Sequence, residues 1–288
     1  MGPPCSPDAS AGRPWRLVTL NTWKGDGPYA LRLQAMVHQL RALQADVVAL
    51  QEVFHAPQVG VHTGRTLAQA LGMHLVFAPA RRKRRWMSGQ WVDSESGLAV
   101  LSRWPVAQQR LWPLPSIGAD GERLALCCDL NVHGQPLRLV NTHLTHLGPC
   151  ERGPALRQLQ WQTLLTHAVD GWPAHAPLLV CGDLNVPLED PSLRGPMGVE
   201  GWRDVAASVG LHPKSTCPAS GAASQDLDHV VDRPCPALTW RAARVVLDGI
   251  DARVGVMPSD HAGVLVEGVL DGCHKSFSQA SNACHTGL

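Results

Sequence analysis

The stretch PLLVCGDLNVPLE, residues 177–189, constrains the fold of this chain more than any other. Its apolar run, Leu178 to Cys181, leads without a polar break into Gly182 and Asp183. A short apolar run that stops at a glycine is typical of a strand buried on both faces, with a loop at its carboxyl end. Because an extended backbone turns residues i and i+2 to the same side, we predict that Asp183 and Asn185 point at one small target. An ordinary turn also explains this stretch, since Gly, Asp, Asn and Pro are common turn residues.

Helix and strand signals alternate along the rest of the chain without a linker-like gap, which predicts a single α/β domain. The first unit is a strand at Arg16–Leu20, an amphipathic helix and a second buried strand at Asp46–Leu50. Later segments are predicted as strands at His74–Phe77 and Gly97–Arg103 and as helices at Pro154–Val169 and Glu200–Val209. The predicted division is a disordered segment at residues 1–14, the domain at residues 15–271 and a loose tail at residues 272–288.

The composition narrows the class of protein. A formal net charge of +1 argues against a broad electrostatic surface for nucleic acid but allows a local basic patch. No apolar run approaches the length of a membrane span, and the first residues lack the apolar core of a secretory signal. The nine cysteines show no C-x-x-C pair and no zinc-finger spacing, which is typical of reduced thiols. We therefore expect a cytoplasmic protein.

Polar side chains recur where the predicted strands end. They are carboxylates, carboxamides and imidazoles: Asn21, Glu52, His143, Asp183, Asn185, Asp228, Asp260 and His261. In open α/β sheets ligands bind at the carboxyl ends of the strands, so we expect these side chains to gather at one edge. Carboxylate and amide oxygens suit magnesium, calcium or manganese. Each residue alone is also explained as a turn, a cap or a buried polar group, but together they predict a site for a divalent cation and a phosphate.

The same residues lie in six short motifs. In order they are N (21), QE (51–52), NTHL (141–144), GDLN (182–185), LDHVV (227–231) and SDH (259–261). This ordered set resembles the endonuclease/exonuclease/phosphatase superfamily, which includes deoxyribonuclease I-like nucleases, apurinic endonucleases, inositol-polyphosphate phosphatases and neutral sphingomyelinases. The resemblance implies an α/β fold, a four-layer α/β/β/α sandwich with two packed mixed β-sheets. It also implies metal-dependent hydrolysis of a phosphoester.

The resemblance implies a metal site as well. Glu52 matches the metal-ligating glutamate of the family, with Asn21 beside it as a ligand or a neighbour of the ligands. Asp260 would complete the metal or histidine environment. Mg²⁺ is the expected ion, with Mn²⁺ or Ca²⁺ as alternatives.

Further matches imply catalytic roles. Asp183 matches the aspartate that orients or deprotonates the attacking water, and Asn185 matches the neighbour that binds the phosphate. His143 matches the histidine that donates hydrogen bonds to the phosphoryl oxygens, with general acid catalysis as an alternative role. His261 matches the second active-site histidine. Asp228 would orient its imidazole, fix the tautomer and raise its basicity.

A basic run, Arg81 to Arg85, is followed by Trp86 and Trp91 and bears on the substrate. Arginines beside aromatic residues are typical of nucleic-acid contacts, so Arg84, Arg85 and Trp86 are predicted to bind substrate. The same combination is typical of a segment that binds an anionic membrane surface. A solvated loop with scattered tryptophans explains it as well.

The sequence thus predicts a magnesium-dependent phosphodiesterase that acts on nucleic acid. A phospholipid such as sphingomyelin is the alternative substrate. A catalytically silent module that binds a phosphorylated partner is the alternative from another class, and a silent relative would be expected to have lost a motif residue. Tyr29 is the only tyrosine of the chain, so the active-site tyrosine of apurinic endonucleases has no match.

Overall fold

The computed structural model describes residues 13–87, 89–211, 215–217 and 225–271. Within these residues thirteen strands alternate with five α-helices. The strands are β1 (Arg13–Asn21), β2 (Val47–Ala56), β3 (Val61–His62), β4 (His74–Met87), β5 (Gln90–Ser102), β6 (Val106–Leu114), β7 (Arg123–Val132), β8 (Gln135–His143), β9 (Leu178–Asp183), β10 (Arg203–Asp204), β11 (Asp228–Arg233), β12 (Leu238–Val246) and β13 (Gly263–Leu270). The helices are α1 (Tyr29–Leu43), α2 (Thr63–Leu71), α3 (Gly153–Val169), α4 (Pro191–Glu200) and α5 (Val205–Ser208).

The described strands form two mixed sheets. The first has the order β12-β13-β1-β2-β5-β4, with β3 paired to β2, and the second has the order β10-β11-β9-β8-β7-β6. In each sheet one central pair is parallel, β1 with β2 and β8 with β9, while the other pairs are antiparallel. The parallel pairs carry the apolar runs of the sequence, because their strands are buried on both faces.

The two sheets pack face to face and helices cover their outer faces. Leu17 and Val100 of the first sheet belong to the same buried core as Leu139 and Leu179 of the second. Helices α1 and α2 pack on the outer face of the first sheet, and α3 and α4 pack on the outer face of the second. This is the α/β/β/α sandwich that the resemblance implies, so the predicted fold class is confirmed.

A buried pair of amide side chains joins the two sheets. Gln51 of β2 donates from Nε2 to Asn141 Oδ1 of β8 at 2.7 Å. Asn141 in turn donates from Nδ2 to the carbonyl oxygens of Leu50 at 2.9 Å and Ala99 at 3.0 Å, in the opposite sheet. Because burying an amide without hydrogen bonds is costly, these contacts favour one arrangement of the two sheets.

Two local predictions were wrong. The strand predicted at His74–Phe77 does not end before the basic run, because β4 continues through it to Met87 and forms a long antiparallel hairpin with β5. Cross-strand pairs such as Arg82–Glu95, at 3.0 Å, stabilise this hairpin. The predicted helix at Glu200–Val209 is divided, because Gly201 takes a left-handed φ of 68° that ends α4. A short strand follows, and the side chain of Asp204 then caps α5.

Other expectations fall at the ends of the chain. Strand β1 begins at Arg13, so the folded part starts before the predicted boundary at residue 15. The predicted disordered segment, up to residue 12, and the predicted tail at residues 272–288 lie outside the described residues. Within the described residues, no helix has the length and apolar character needed to cross a membrane.

Candidate active site

A cleft of about 320 Å³ opens at the edge where the central strands of both sheets end. The parallel pairing places Asn21 beside Gln51 in the first sheet and His143 beside Asp183 in the second. Seven of the residues predicted from the sequence line this cleft: Asn21, Glu52, His143, Asp183, Asn185, Asp260 and His261. Asp228 is paired with Asp183 across β11 and β9 and lies directly behind the cleft wall.

Asp183 is the centre of the arrangement. Its Oδ2 accepts a hydrogen bond from Asn21 Nδ2 at 2.9 Å and lies 3.5 Å from His143 Nε2 and 4.0 Å from His261 Nε2. Its Oδ1 accepts the backbone N–H of Asn185 at 2.9 Å. Burial, together with the nearby charge of Asp228, raises the pKa of Asp183 to about 6. This carboxylate can therefore exchange a proton near neutral pH.

The backbone before Asp183 leaves no room for a side chain. Gly182 has a φ of 141°, and a Cβ there would overlap the carbonyl oxygen of Thr142 in the adjacent strand β8. A glycine thus allows β8 and β9 to approach closely, which brings His143 and Asp183 together.

His261 and Asp228 form a buried carboxylate–histidine pair. His261 Nδ1 lies 2.7 Å from Asp228 Oδ2, and the ring is held with Nε2 toward Asp183. Burial alone would lower the pKa of His261, but the hydrogen bond and charge of Asp228 raise it to about 10. His261 is therefore an imidazolium at neutral pH.

The pKa of His143 is shifted in the opposite direction to that of His261. Burial lowers its pKa well below 6.5, and the positive charges of Arg123 and Lys24 add to the effect. The ring is therefore neutral at pH 7. It can donate one N–H to a substrate oxygen, but it is a weak candidate for the general acid, the alternative role predicted for it.

Glu52 leaves the regular strand conformation. It has a left-handed φ of 54°, and the register of β2 with β5 shifts between Leu50 and Val53. This bulge aims Glu52 into the cleft, where Lys24 Nζ lies 2.6 Å from its Oε1. Non-glycine residues in this conformation are strained, and such strain is concentrated at functional sites.

The oxygen atoms near Glu52 fit a hard divalent cation. Burial raises the pKa of Asp260, and the negative charge of Glu52 is among the causes that raise it further. Two carboxylates that repel each other in a partly buried cleft are stabilised by a cation. The ammonium of Lys24 supplies part of this positive charge to Glu52. Glu52, Asp260 and the carboxamide of Asn21 are thus the residues that could hold the metal.

A second compact group of possible metal ligands lies nearby. Ligand atoms of Asp183, Asp228 and His261 lie within 4.8 Å of one another, and all three residues are buried. However, Nδ1 of His261 is already bonded to Asp228. Of the two ring nitrogens of His261, Nε2 is therefore the one left toward Asp183.

Sequence reasoning missed Arg32, which is 1 % exposed. It donates to five backbone carbonyls at 2.9 to 3.1 Å, those of Thr22, Trp23, Lys24, Asp26 and Pro258. Its guanidinium also stacks on the Trp23 ring, 4.6 Å from the centroid. Arg32 thereby ties the loop that carries Lys24 to the loop that carries Asp260 and His261.

A second arginine that sequence reasoning missed supports the opposite wall. Arg123 is buried and donates to Asp120 Oδ1 at 2.8 and 3.1 Å and to the carbonyl oxygen of His143 at 3.3 Å. Its Nη2 lies 3.0 Å from His146 Nδ1. Gln160 of α3 donates to the other oxygen of Asp120 at 3.1 Å, which fastens this network to the helix layer.

The hairpin separates the three residues predicted to bind substrate. Since side chains alternate along a strand, Arg81, Lys83 and Arg85 share one face of β4, whereas Arg84 and Trp86 lie on the other. Arg85 donates to Asp26 Oδ1 at 2.8 Å. Trp86 is 61 % exposed and packs edge to face on Trp91, at 5.7 Å between ring centroids. The structure thus brings Arg85 near the site, but it does not bring Arg84 and Trp86 there.

The sequence matches the model of the Endonuclease/Exonuclease/phosphatase family over residues 18–261, which is most of the chain. The chain belongs to this family. The match includes every site residue named above, from Asn21 to His261. Members of the family are typically hydrolytic phosphoesterases and generally use divalent metals. Among curated proteins, none matches the sequence.

Solved structures with the family fold superpose on the chain. An endonuclease/exonuclease/phosphatase from Beutenbergia cavernae is 26 % identical with a TM-score of 0.68, covering 90 % of this chain and 72 % of that one. A humanized D. rerio TDP2 is 18 % identical with a TM-score of 0.69, covering 88 % of this chain and 98 % of that one. The human Nocturnin catalytic domain with a bound sulfate anion is 20 % identical with a TM-score of 0.67, covering 89 % and 93 %.

Proposed function

We propose that the protein is a divalent-metal-dependent phosphodiesterase that acts on nucleic acid. The observation that carries the proposal is the surrounding of Asp183. One buried carboxylate with a pKa raised to about 6 faces a neutral histidine, His143, and a charged one, His261, beside a set of oxygen ligands. Such a pairing of groups with separated pKa values is the arrangement that acid–base hydrolysis requires.

The first part of the proposal concerns the metal and the attacking water. A divalent cation held by Glu52, Asp260 and Asn21 would neutralise charge on the phosphoryl group. Asp183 accepts a proton from the attacking water and aligns it for attack on phosphorus. Its pKa, raised to about 6, lets it act as a base at neutral pH.

The remaining groups bind and stabilise the phosphoryl group. His143 donates its N–H to a phosphoryl oxygen, and the carboxamide of Asn185 lies beside it, held by a bond from Nδ2 to the Leu144 carbonyl at 2.9 Å. His261, kept charged by Asp228, stabilises the negative charge that develops and supplies a proton to the leaving oxygen.

Hydrolysis of bis-p-nitrophenyl phosphate tests the proposal. Turnover should vanish in EDTA and return with Mg²⁺, Mn²⁺ or Ca²⁺. Asp183→Asn keeps the shape of the side chain and should lower kcat by roughly 10²- to 10⁴-fold, the range for general acid–base groups. Asp248→Asn, at an exposed aspartate outside the cleft lining, is the matched control and should keep wild-type activity.

Two results would overturn the proposal. Unfolding of Asp183→Asn under native conditions would assign that residue a structural role. No turnover with any metal, together with no metal binding by calorimetry, would favour the catalytically silent module.

A phospholipid remains the second candidate substrate, because the tip of the hairpin exposes 61 % of Trp86 and 58 % of Trp91. Exposed tryptophans beside arginines are typical of membrane-surface binding. Cosedimentation with vesicles that contain anionic lipid and sphingomyelin tests it. Vesicle binding that is lost when both tryptophans are replaced with alanine would favour a phospholipid substrate. A wild-type protein that does not cosediment with vesicles would exclude a phospholipid substrate.

A further inference from the structure

A small basic cleft of about 80 Å³ lies beside the candidate active site. The inner face of the hairpin supplies its cations, Arg81, Lys83 and Arg85, and the loop after β1 adds Lys24. The neighbouring strand β5 supplies two hydroxyl side chains and Glu95 to the lining. Four cations around so small a space favour an anion as its occupant.

The basic cleft is continuous with the active-site cleft. Lys24, Arg81 and Ser96 line both. An anion in the basic cleft would therefore be adjacent to a phosphate bound at His143 in the active-site cleft. A single extended substrate can occupy both clefts.

Carboxylates of the protein neutralise only part of this positive charge. Arg85 is paired with Asp26 at 2.8 Å, and Lys24 with Glu52 at 2.6 Å. Glu95, the carboxylate in the lining, already faces Arg82 at 3.0 Å and His55 at 3.2 Å. Within the described part of the chain, no carboxylate forms an ion pair with Arg81 or Lys83.

We infer that the basic cleft binds a second phosphate of the substrate, next to the phosphodiester that is cleaved. The inference rests on the proposed function and narrows it. A nucleic-acid strand offers a phosphate at every nucleotide and can fill both clefts, whereas a phospholipid such as sphingomyelin has one phosphate and cannot. Arg81 and Lys83 are the residues that recognise this second phosphate, as basic side chains position nucleic-acid backbones elsewhere.

Three thymidine dinucleotides distinguish the contribution of the second phosphate from that of the bridging one. The dinucleotide dTpdT has only the bridging phosphate, pdTpdT adds one at the 5′ end and dTpdTp adds one at the 3′ end. Wild-type kcat/KM should be larger by about ten-fold for one of the two longer substrates than for dTpdT, the gain expected of a charge-assisted phosphate contact. The single variants Lys83→Ala and Arg81→Ala should each reduce this ratio to below about three-fold.

Arg82→Ala is the matched control. It removes the same charge from the same strand, but its side chain lies on the opposite face of the hairpin and is 83 % exposed. Glu95 loses Arg82 as a partner in this variant but keeps His55 at 3.2 Å. The ratio of kcat/KM values should keep its wild-type size in this variant. A wild-type ratio of one for both longer substrates would overturn the inference. An equal loss of the ratio in Arg82→Ala and Lys83→Ala would also overturn it, because the effect would then be general electrostatic attraction.

Binding gives a readout that does not depend on turnover. Fluorescence anisotropy of a labelled ten-nucleotide oligothymidylate in EDTA should show a salt dependence whose logarithmic slope falls by about 0.7 in Lys83→Ala. If no substrate is hydrolysed with any metal, the proposed function fails, and this slope alone decides the second site. An unchanged slope would refute the site, and a reduced slope with Arg82→Ala near wild type would retain it.

Discussion

Replacing Arg32 with lysine tests how the two loops of the candidate active site are held together. Arg32 uses all five N–H donors of its guanidinium on backbone carbonyls, four in the loop after β1 and one at Pro258. A lysine ammonium keeps the charge but has three donors, so at least two of these carbonyls lose their partner. We expect Arg32→Lys to destabilise the protein and to lower its activity.

The size of the effect follows from the number of bonds lost. Hydrogen bonds to a charged group contribute about 1.5 to 3 kcal/mol each. Water can reach the loop once it loosens, so the lower figure applies, and two lost bonds reduce the free energy of unfolding by about 3 kcal/mol. For a domain of this size that loss lowers Tm by about 6 to 12 °C. Displacement of Lys24 and Asp260 by an ångström should also lower kcat, by up to about 10²-fold.

Urea unfolding followed by far-UV circular dichroism measures the stability of wild type and variant. Arg41→Lys is the control on the same helix, because Arg41 is exposed and bonds one carbonyl, that of Ala70. Its free energy of unfolding should change by less than about 0.5 kcal/mol. Equal urea midpoints for Arg32→Lys and Arg41→Lys would refute the reasoning, since the buried guanidinium would then contribute no more than an exposed one.

Further predictions concern protons, backbone and metal. The pH–rate profile should rise as Asp183 loses its proton near pH 6 and fall as His261 loses its proton near pH 10. Asp228→Asn removes the charge that raises the His261 pKa, so the falling limb should move to lower pH, toward the ordinary value of 6.5. Gly182→Ala should lower the free energy of unfolding, measured in urea, by roughly 2 to 4 kcal/mol, because the added Cβ meets a carbonyl of the neighbouring strand. Mg²⁺ at a hundred times its Kd should stabilise the wild type by about 2.7 kcal/mol in thermal unfolding, and Glu52→Gln should lose most of this gain.

Each of these predictions has an outcome that contradicts it. A falling limb that stays in place in Asp228→Asn would show that His261 titrates independently of its partner. Gly118 has no atom within 4 Å of an added Cβ, so Gly118→Ala is the control for Gly182→Ala, and equal stabilities would contradict the close approach of the strands. An undiminished Mg²⁺ effect in Glu52→Gln would move the cation to other ligands.

Strand ends could be predicted from the sequence because they are local. An apolar run that stops at a polar residue places that residue at the edge of the sheet, and Asn21, His143 and Asp183 follow this rule. The order of the six motifs then identified the fold. Their gathering at one edge was expected from the general rule that ligands bind at the carboxyl ends of strands in α/β sheets, and the family resemblance added that two sheets contribute.

The supporting residues could not be predicted, because their contacts depend on how loops fold back on the helix and strands, which no local pattern shows. Arg32 lies between two leucines of a helix, and no local pattern shows that it faces carbonyls at Pro258. Arg123 pairs with Asp120 only because a turn brings them together under His143. The hairpin was missed for another reason. Five consecutive basic residues disfavour a strand by composition, and the backbone pairing with β5, with acidic side chains opposite two of the arginines, is a non-local feature.

The amide bridge between Gln51 and Asn141 has a consequence for the order of events in folding. The candidate site draws Asn21 and Glu52 from one sheet and His143 and Asp183 from the other. All strand pairing lies within one sheet or the other, so we expect the strands to pair before the sheets dock and the site to exist only after docking. During refolding from urea, far-UV circular dichroism should therefore recover first, and hydrolytic activity only when the sheets dock. Weakening the bridge by Asn141→Ala should lengthen the time between recovery of circular dichroism and recovery of activity. That time then measures the rate at which the sheets dock.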